Sequence, residues 1–276
     1  MRKLLFLTIS LAALSACGPD VEKLAQQYLD AASECYAEGN YEKAKLLIDS
    51  VKSEYPNALE ARRNGIRLLQ KVEMAEAERT ILYQDSAAAS MRRQFNDVKD
   101  GFVFEKDEKY QDLGLYTVAS QSLENNIGRN YIRGQVDEKG RMTLVSNYSG
   151  SSYIHHRSLR LSCGDNFIDT PVSEDFYEFK DLGVCYEKCN FTDNEDGGAA
   201  AFITLNIGND ITVSMKGERV VEIKMTDSDK KAISELYSLS MLLKSINEAE
   251  WLRDEAARKL EFVKSNLSGN QNMPLK

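Results

Sequence analysis

The chain lacks most of the features from which a function is usually read. It has two histidines, His155 and His156, so few side chains can serve as a base near neutral pH. It has no Gly-x-Ser-x-Gly segment, which excludes the nucleophile elbow of one large hydrolase class. Gly128-Arg129-Asn130 and the other glycines do not form a P-loop. There is no basic tract, and the net charge is −8. Nucleic-acid affinity comes largely from Lys and Arg on phosphates, so that partner class is set aside. Long hydrophobic runs are missing too. Leu4 to Leu14 is too short for the roughly 20 residues that a helix needs to cross a bilayer.

That short run is informative for another reason. Arg2 and Lys3 precede it and Leu14-Ser15-Ala16-Cys17 closes it, the layout of a secretory signal ending in a cysteine. The four closing residues resemble a bacterial lipobox. The resemblance implies removal of residues 1–16 and a lipid (diacylglycerol, palmitate-type chains) on Cys17. Removing Arg2 and Lys3 takes the net charge from −8 to −10. Electrostatics then add nothing to membrane binding, which rests on acyl chains at ~0.8 kcal/mol per buried CH2. Gly18 stands where inner-membrane retention typically uses Asp, so the resemblance implies the outer membrane, with the face left open.

Four further cysteines remain. Cys35 sits in a helical pattern and is expected in a core. Cys163, Cys185 and Cys189 cluster in the middle of the chain, and an exported protein meets an oxidising compartment. One disulfide among these three is expected. Free thiols, or a zinc site shared with the histidines, are the alternatives.

Val21, Leu24, Tyr28, Ala31, Ala32 and Cys35 recur at helical spacing up to Glu38-Gly39-Asn40. A second helix follows through Tyr41, Ala44, Leu47, Ile48 and Val51 and ends before Pro56, since the residue before proline disfavours helical geometry. The hairpin resembles one tetratricopeptide repeat, carried by Ala32, Gly39 to Ala44, and Pro56. Arrays of this kind generally need three or more repeats to form a groove. Tyr28 and Tyr41 are its candidate partner-binding residues, and Ala58 to Leu69 could supply a packing helix.

From Asn57 to about Lys99 there is no proline and one glycine, and Met74, Ala77, Ile81, Ala88, Met91, Phe95 and Val98 approximate a heptad seam. A second seam runs from Ile233 to Leu267, after a start at Asp227-Ser228-Asp229. The expected fold class is α+β. An N-terminal hairpin and long helix (17–100) would pair with a C-terminal helix (227–268) as a coiled-coil stalk. A central antiparallel β sandwich or small barrel (101–226) would lie between them, with 269–276 a disordered tail. The seams could also pair between chains as a homodimer. This layout is similar to that of uncharacterised Bacteroidota lipoproteins, a likeness that implies no activity.

The strands of the middle segment are expected at 101–104, 115–120, 131–136, 141–146, 154–162, 201–205, 210–215 and 220–225, with a hairpin turn at Asp137 to Gly140. On a strand, His155 and His156 would face opposite sides. Asp193 to Gly198 is expected as an exposed loop. It is no EF-hand, because the twelfth residue from Asp193 is Thr204 rather than Glu. Tyr110, Tyr116, Tyr131, Tyr148, Tyr153, Phe176, Tyr177 and Phe179 could form a ligand surface, or serve as core and strand pairs. No catalytic residue, metal ligand set or cofactor is assigned. The expected function is a non-enzymatic interaction or scaffolding lipoprotein with an envelope-protein partner. The alternative is a β domain that binds or hydrolyses envelope glycan or peptide.

Overall fold

The structure, a computed structural model, describes residues 20–271. The signal segment and Cys17 lie outside the described residues. The chain is α+β and forms two compact units. One comprises the described residues up to Leu82 together with those from Arg253, and the other runs from Tyr83 to Leu252. Both long helices contribute to each unit.

In the first unit, α1 (Val21–Ala37) and α2 (Tyr41–Glu54) form the expected hairpin. Gly39 takes a φ of +75° at the turn, and Asn40 caps α2 by accepting from the Lys43 amide at 3.2 Å. Ala32 and Ala44 are fully buried, as small residues must be where backbones approach closely. Ala58 and the start of α3 (Leu59–Val98), with Ala61 and Val72, close the same core. The Glu22 carboxylate accepts from the Glu60 and Ala61 amides at 3.1 Å, placing a negative charge at the positive end of α3. The last part of α5 (Asp227–Gln271) lies along α3. Ala256 and Val263 are buried there, and Lys259 pairs with Glu76 at 3.4 Å. The helix continues to Gln271, past the expected start of the tail, and residues 272–276 lie outside the described residues.

The second unit holds two antiparallel sheets. The six-stranded sheet contains β1 (Val103–Glu105), β2 (Leu115–Thr117), β3 (Tyr131–Asp137), β4 (Met142–Gly150), β7 (Phe176–Asp181) and β8 (Val184–Thr192), in the order β1-β2-β3-β4-β8-β7. The four-stranded sheet contains β5 (Ser158–Cys163), β6 (Asn166–Asp169), β9 (Thr212–Lys216) and β10 (Val220–Lys224), in the order β10-β9-β5-β6. Ile132, Leu144 and Phe191 from one sheet share a core with Leu159, Leu161, Val213 and Met215 from the other. Ile233, Leu236, Leu239 and Leu243 of α5 belong to that core as well. The periodicity of α5 therefore serves a β core along one stretch and a helix along another.

The β3–β4 turn shows how tightly α5 is seated. Gly140 has a φ of +82°, and a Cβ there would stand 2.7 Å from the Ser240 carbonyl and the Lys244 amide nitrogen. Ser240 Oγ donates to the Gly140 carbonyl at 2.5 Å.

Two local expectations are corrected and a third is refined. Residues 201–205 are not a strand but part of helix α4 (Ala199–Leu205). Asp196 accepts from the Gly198 and Ala200 amides at 2.8 and 2.9 Å, and Ala199, Ala200 and Ile203 are buried at helical spacing. The histidines precede β5 rather than lying on it, because His155 has a φ of +54° and breaks the extended path. The segment expected as an exposed loop is exposed at Glu195 and Gly197 but is more ordered than a loop, with Asp193 to Asp196 in a 3-10 turn. Asp193 accepts from the Met142 amide at 3.0 Å and from Lys244 Nζ at 2.9 Å.

Candidate functional site

Strand β8 organises both clusters of chemical interest. Its residues alternate between the faces of the six-stranded sheet, and the exposure pattern follows that alternation. Cys185, Glu187, Cys189 and Phe191 are buried. Tyr186, Lys188 and Asn190 lie on the other face and are half-buried.

On the inner face, β4 and β8 pair Ser146 with Cys189 and Tyr148 with Glu187. Against them packs the segment from Ser151 to Arg157. His156 Nδ1 lies 2.7 Å from Glu187 Oε2, and its Nε2 lies 2.7 Å from Ser146 Oγ. Glu187 also accepts from the backbone amides of Ile154, His155 and His156. Cys189 donates its thiol to the His156 carbonyl at 2.8 Å.

Burial pushes the His156 imidazole below its usual value, against the opposing pull of Glu187. Burial also pushes the Glu187 carboxyl up, but its hydrogen bonds from His156, Ile154 and His155 outweigh this and hold it ionised. The consistent assignment is a neutral imidazole, donating from Nδ1 to Glu187 and accepting at Nε2 from the Ser146 hydroxyl.

Serine, histidine and carboxylate thus stand in the order and spacing of a hydrolytic triad. Ser146, His156 and Glu187 are only 0%, 1% and 3% exposed, however, so no substrate atom can reach the hydroxyl. The cluster instead clamps the 151–157 segment to the sheet. His155 points elsewhere: it is exposed, pairs with Glu178 at 3.0 Å and stacks on Tyr153. The hydrogen bond to Glu178 raises its pKa.

The expected disulfide is not formed, and Cys35, Cys163, Cys185 and Cys189 are free thiols. Cys185 and Cys189 stand four residues apart on one strand, about 13 Å at ~3.3 Å per residue, well beyond bridging distance. Cys163 lies at the end of β5 in the other sheet. Among the described residues no group of three or more His, Cys, Asp or Glu could hold a metal ion. Tyr28 and Tyr41 are tied to their own unit. Tyr28 pairs its ring with Tyr55, and Tyr41 lies beneath the Arg79 guanidinium at 4.3 Å.

On the outer face the arrangement is open. Tyr177 and Phe179 of β7, Tyr186 and Lys188 of β8, Asn147 of β4 and Tyr131 of β3 border a cleft of about 490 Å³. Ile127 and Arg129, just before β3, form its rim. Phe179 and Tyr186 stack at 4.8 Å, and Arg129 sits over Tyr131 at 5.3 Å. Arg129 is committed to Asp229 and Asn126. Among the described residues, Lys188 Nζ has no hydrogen-bond or ion-pair partner. Burial lowers its pKa, and Arg133 lowers it further.

Beyond the cleft, β7 is the free edge of its sheet. It exposes Phe176, Tyr177 and Phe179 and leads to Leu182, which is 95% exposed with a φ of +45°.

Sequence reasoning named Tyr131, Tyr177 and Phe179 but missed Tyr186, Lys188 and Arg129. The signal was the alternation across Val184 to Thr192, in which cysteine and glutamate occupy the buried positions usually held by aliphatic residues. No family model matches the chain, and neither a curated protein nor a solved structure matches it.

Proposed function

We propose that this chain is a non-enzymatic interaction or scaffolding lipoprotein of the bacterial envelope, held at the outer membrane by lipid on Cys17. Its envelope-protein partner docks on the β7 edge. The observation that carries this reading is the edge itself. A six-residue strand with unpaired backbone groups on its outer side exposes three aromatic rings and ends in a solvent-facing leucine. Such an edge is a template for an added strand, and its Glu178, Lys180 and Asp181 restrict which strand can pair with it. Leu182 adds support, because a leucine held at positive φ in solvent is strained and buries nothing within its own chain.

The test is a photo-activated cross-linking residue at Leu182 in intact cells, with and without Cys17→Ala. Repeated cross-links to one envelope protein, diminished by Cys17→Ala, are expected. Cross-links confined to the chain itself would refute the docking edge.

A second reading, a β domain that binds an envelope-derived ligand, is favoured by the cleft beside Lys188. The hydrolytic form of that reading gains nothing from Ser146, which is sealed.

A further inference from the structure

We infer that the cleft on the outer face of the six-stranded sheet binds a small monoanion with a flat or apolar body. This rests on the ligand-binding reading and names the chemistry of that site.

Strand register sets the charge in place. Tyr131 pairs with Asn147, Asn147 with Lys188, and Lys188 with Tyr177, so four side chains form one row across four strands. The Lys188 ammonium stands in that row between an aromatic ring and an amide. Withdrawal from water costs a cation free energy that only a counter-charge or hydrogen bonds return. Among the described residues no hydrogen bond or ion pair returns it: Arg133 is close enough to repel, and Asp175 offsets only part of the cost through space. This is out of keeping with a protein that carries 43 acidic residues against 35 basic ones.

The charge count limits the ligand. Arg129 is already neutralised by Asp229, so Lys188 is the one cation of the cleft wall without an ion pair among the described residues, and Asp181 on the same wall disfavours a second negative charge on the ligand. One carboxylate or sulfonate matches it, whereas a polyphosphate would leave charge uncompensated. The remaining walls select the body of the ligand. The Phe179–Tyr186 stack offers a flat surface, and Ile127, 80% exposed, adds aliphatic surface at the rim. The volume falls in the range of small-molecule sites, roughly 300–1,000 Å³.

The test compares two probe dyes on the full chain by fluorescence titration: anilinonaphthalene sulfonate and its neutral analogue, N-phenylnaphthylamine. An apolar groove beside Phe102, Ile207 and Leu239 can also take up dye, so binding is assigned to the cleft through variants. Lys188→Met is expected to weaken the sulfonate about tenfold, the scale of one lost charge-assisted contact, while the neutral dye changes less than about twofold. Lys188→Arg is expected to restore sulfonate binding, and Phe179→Ala to weaken both dyes. Circular dichroism melts check that each variant folds. Sulfonate binding unchanged in Lys188→Met, with Phe179→Ala still weakening both dyes, would overturn the anion assignment and leave a neutral binding site. Indifference of both dyes to Phe179→Ala and Lys188→Met alike would remove the cleft as a site altogether.

Discussion

Glu187 and Lys188 are consecutive residues of one strand, and their surroundings could hardly differ more. The carboxylate on the inner face accepts from three backbone amides and an imidazole. The ammonium on the outer face has no partner among the described residues. Glu187 is withdrawn from water fully and Lys188 partly, but only the first has been given replacements. A saturated buried charge fixes one loop conformation and is expensive to disturb. An unsaturated one contributes little to the fold and is left with something to bind. The comparison separates a group retained for architecture from one available for recognition, although both would look equally notable in the sequence.

The largest test of that contrast is Glu187→Ala. It leaves four buried donors without their acceptor and is expected to cost several kcal/mol, at about 1–3 kcal/mol for each donor left unsatisfied, read from the urea midpoint. A loss under about 1 kcal/mol would mean that the inner cluster is not the clamp described. Ser146→Ala removes one hydrogen bond from the same cluster and leaves His156 Nε2 unsatisfied. Its expected cost is about 1–3 kcal/mol in the same assay.

Acidification probes the cluster without mutation. The folded pKa of His156 lies below the unfolded value of about 6.5, so the unfolded chain binds the extra proton first. Stability is then full above that value and declines as the pH falls below it, by at most about 1.4 kcal/mol per pH unit. Glu187, also held low, adds a further decline below about 4.5. His155 works the other way, since its raised pKa contributes below about 6.5 and the contribution is lost as pH rises through the folded value. Being exposed, it is screened, and His155→Ala is expected to leave the acid-side decline in place or steepen it. Urea midpoints that stay flat from about pH 8 to 5 would contradict the neutral assignment of His156.

The smallest expected effect is the most telling. Lys188→Met is expected to change stability by no more than about 0.5 kcal/mol, or to raise it slightly, because it removes a charge that nothing in the fold uses. A clear destabilisation would place Lys188 with Glu187 among the architectural groups.

The helices were legible in the sequence because burial at a 3.6-residue period needs only that one side be covered. Ala32, Ala44 and Ile48 announced themselves in this way. What covers that side is not encoded in the period, so Leu236 and Leu243 read like coiled-coil positions while packing in a β core. Strands β6, β7 and β8 were missed for a different reason. Alternation is recognised through Val, Ile and Leu, whereas β8 buries cysteine and glutamate, whose presence inside depends on partners 30 or more residues away, such as His156 for Glu187. The opposite error occurred at Ala201 to Leu205. Phe202, Ile203 and Thr204 favour strands, but the Asp196 cap and the burial of Ala199 and Ala200 select helix. Of the cleft, the aromatic residues were visible and the cation was not, since a lone lysine gains meaning only from what fails to surround it.

Cys189 carries a consequence for the order of events in the life of the chain. Burial raises its thiol pKa to about 12, and its proton is directed at the His156 carbonyl. Nucleophilic attack in disulfide exchange requires thiolate, so the folded protein offers almost none at this position. Before the 151–157 segment closes, the same sulfur is an ordinary thiol. Closure of that one segment therefore acts as a deadline: an oxidant that is to modify Cys189 must reach the sulfur before the loop folds over it, and afterwards the residue is a silent part of the core.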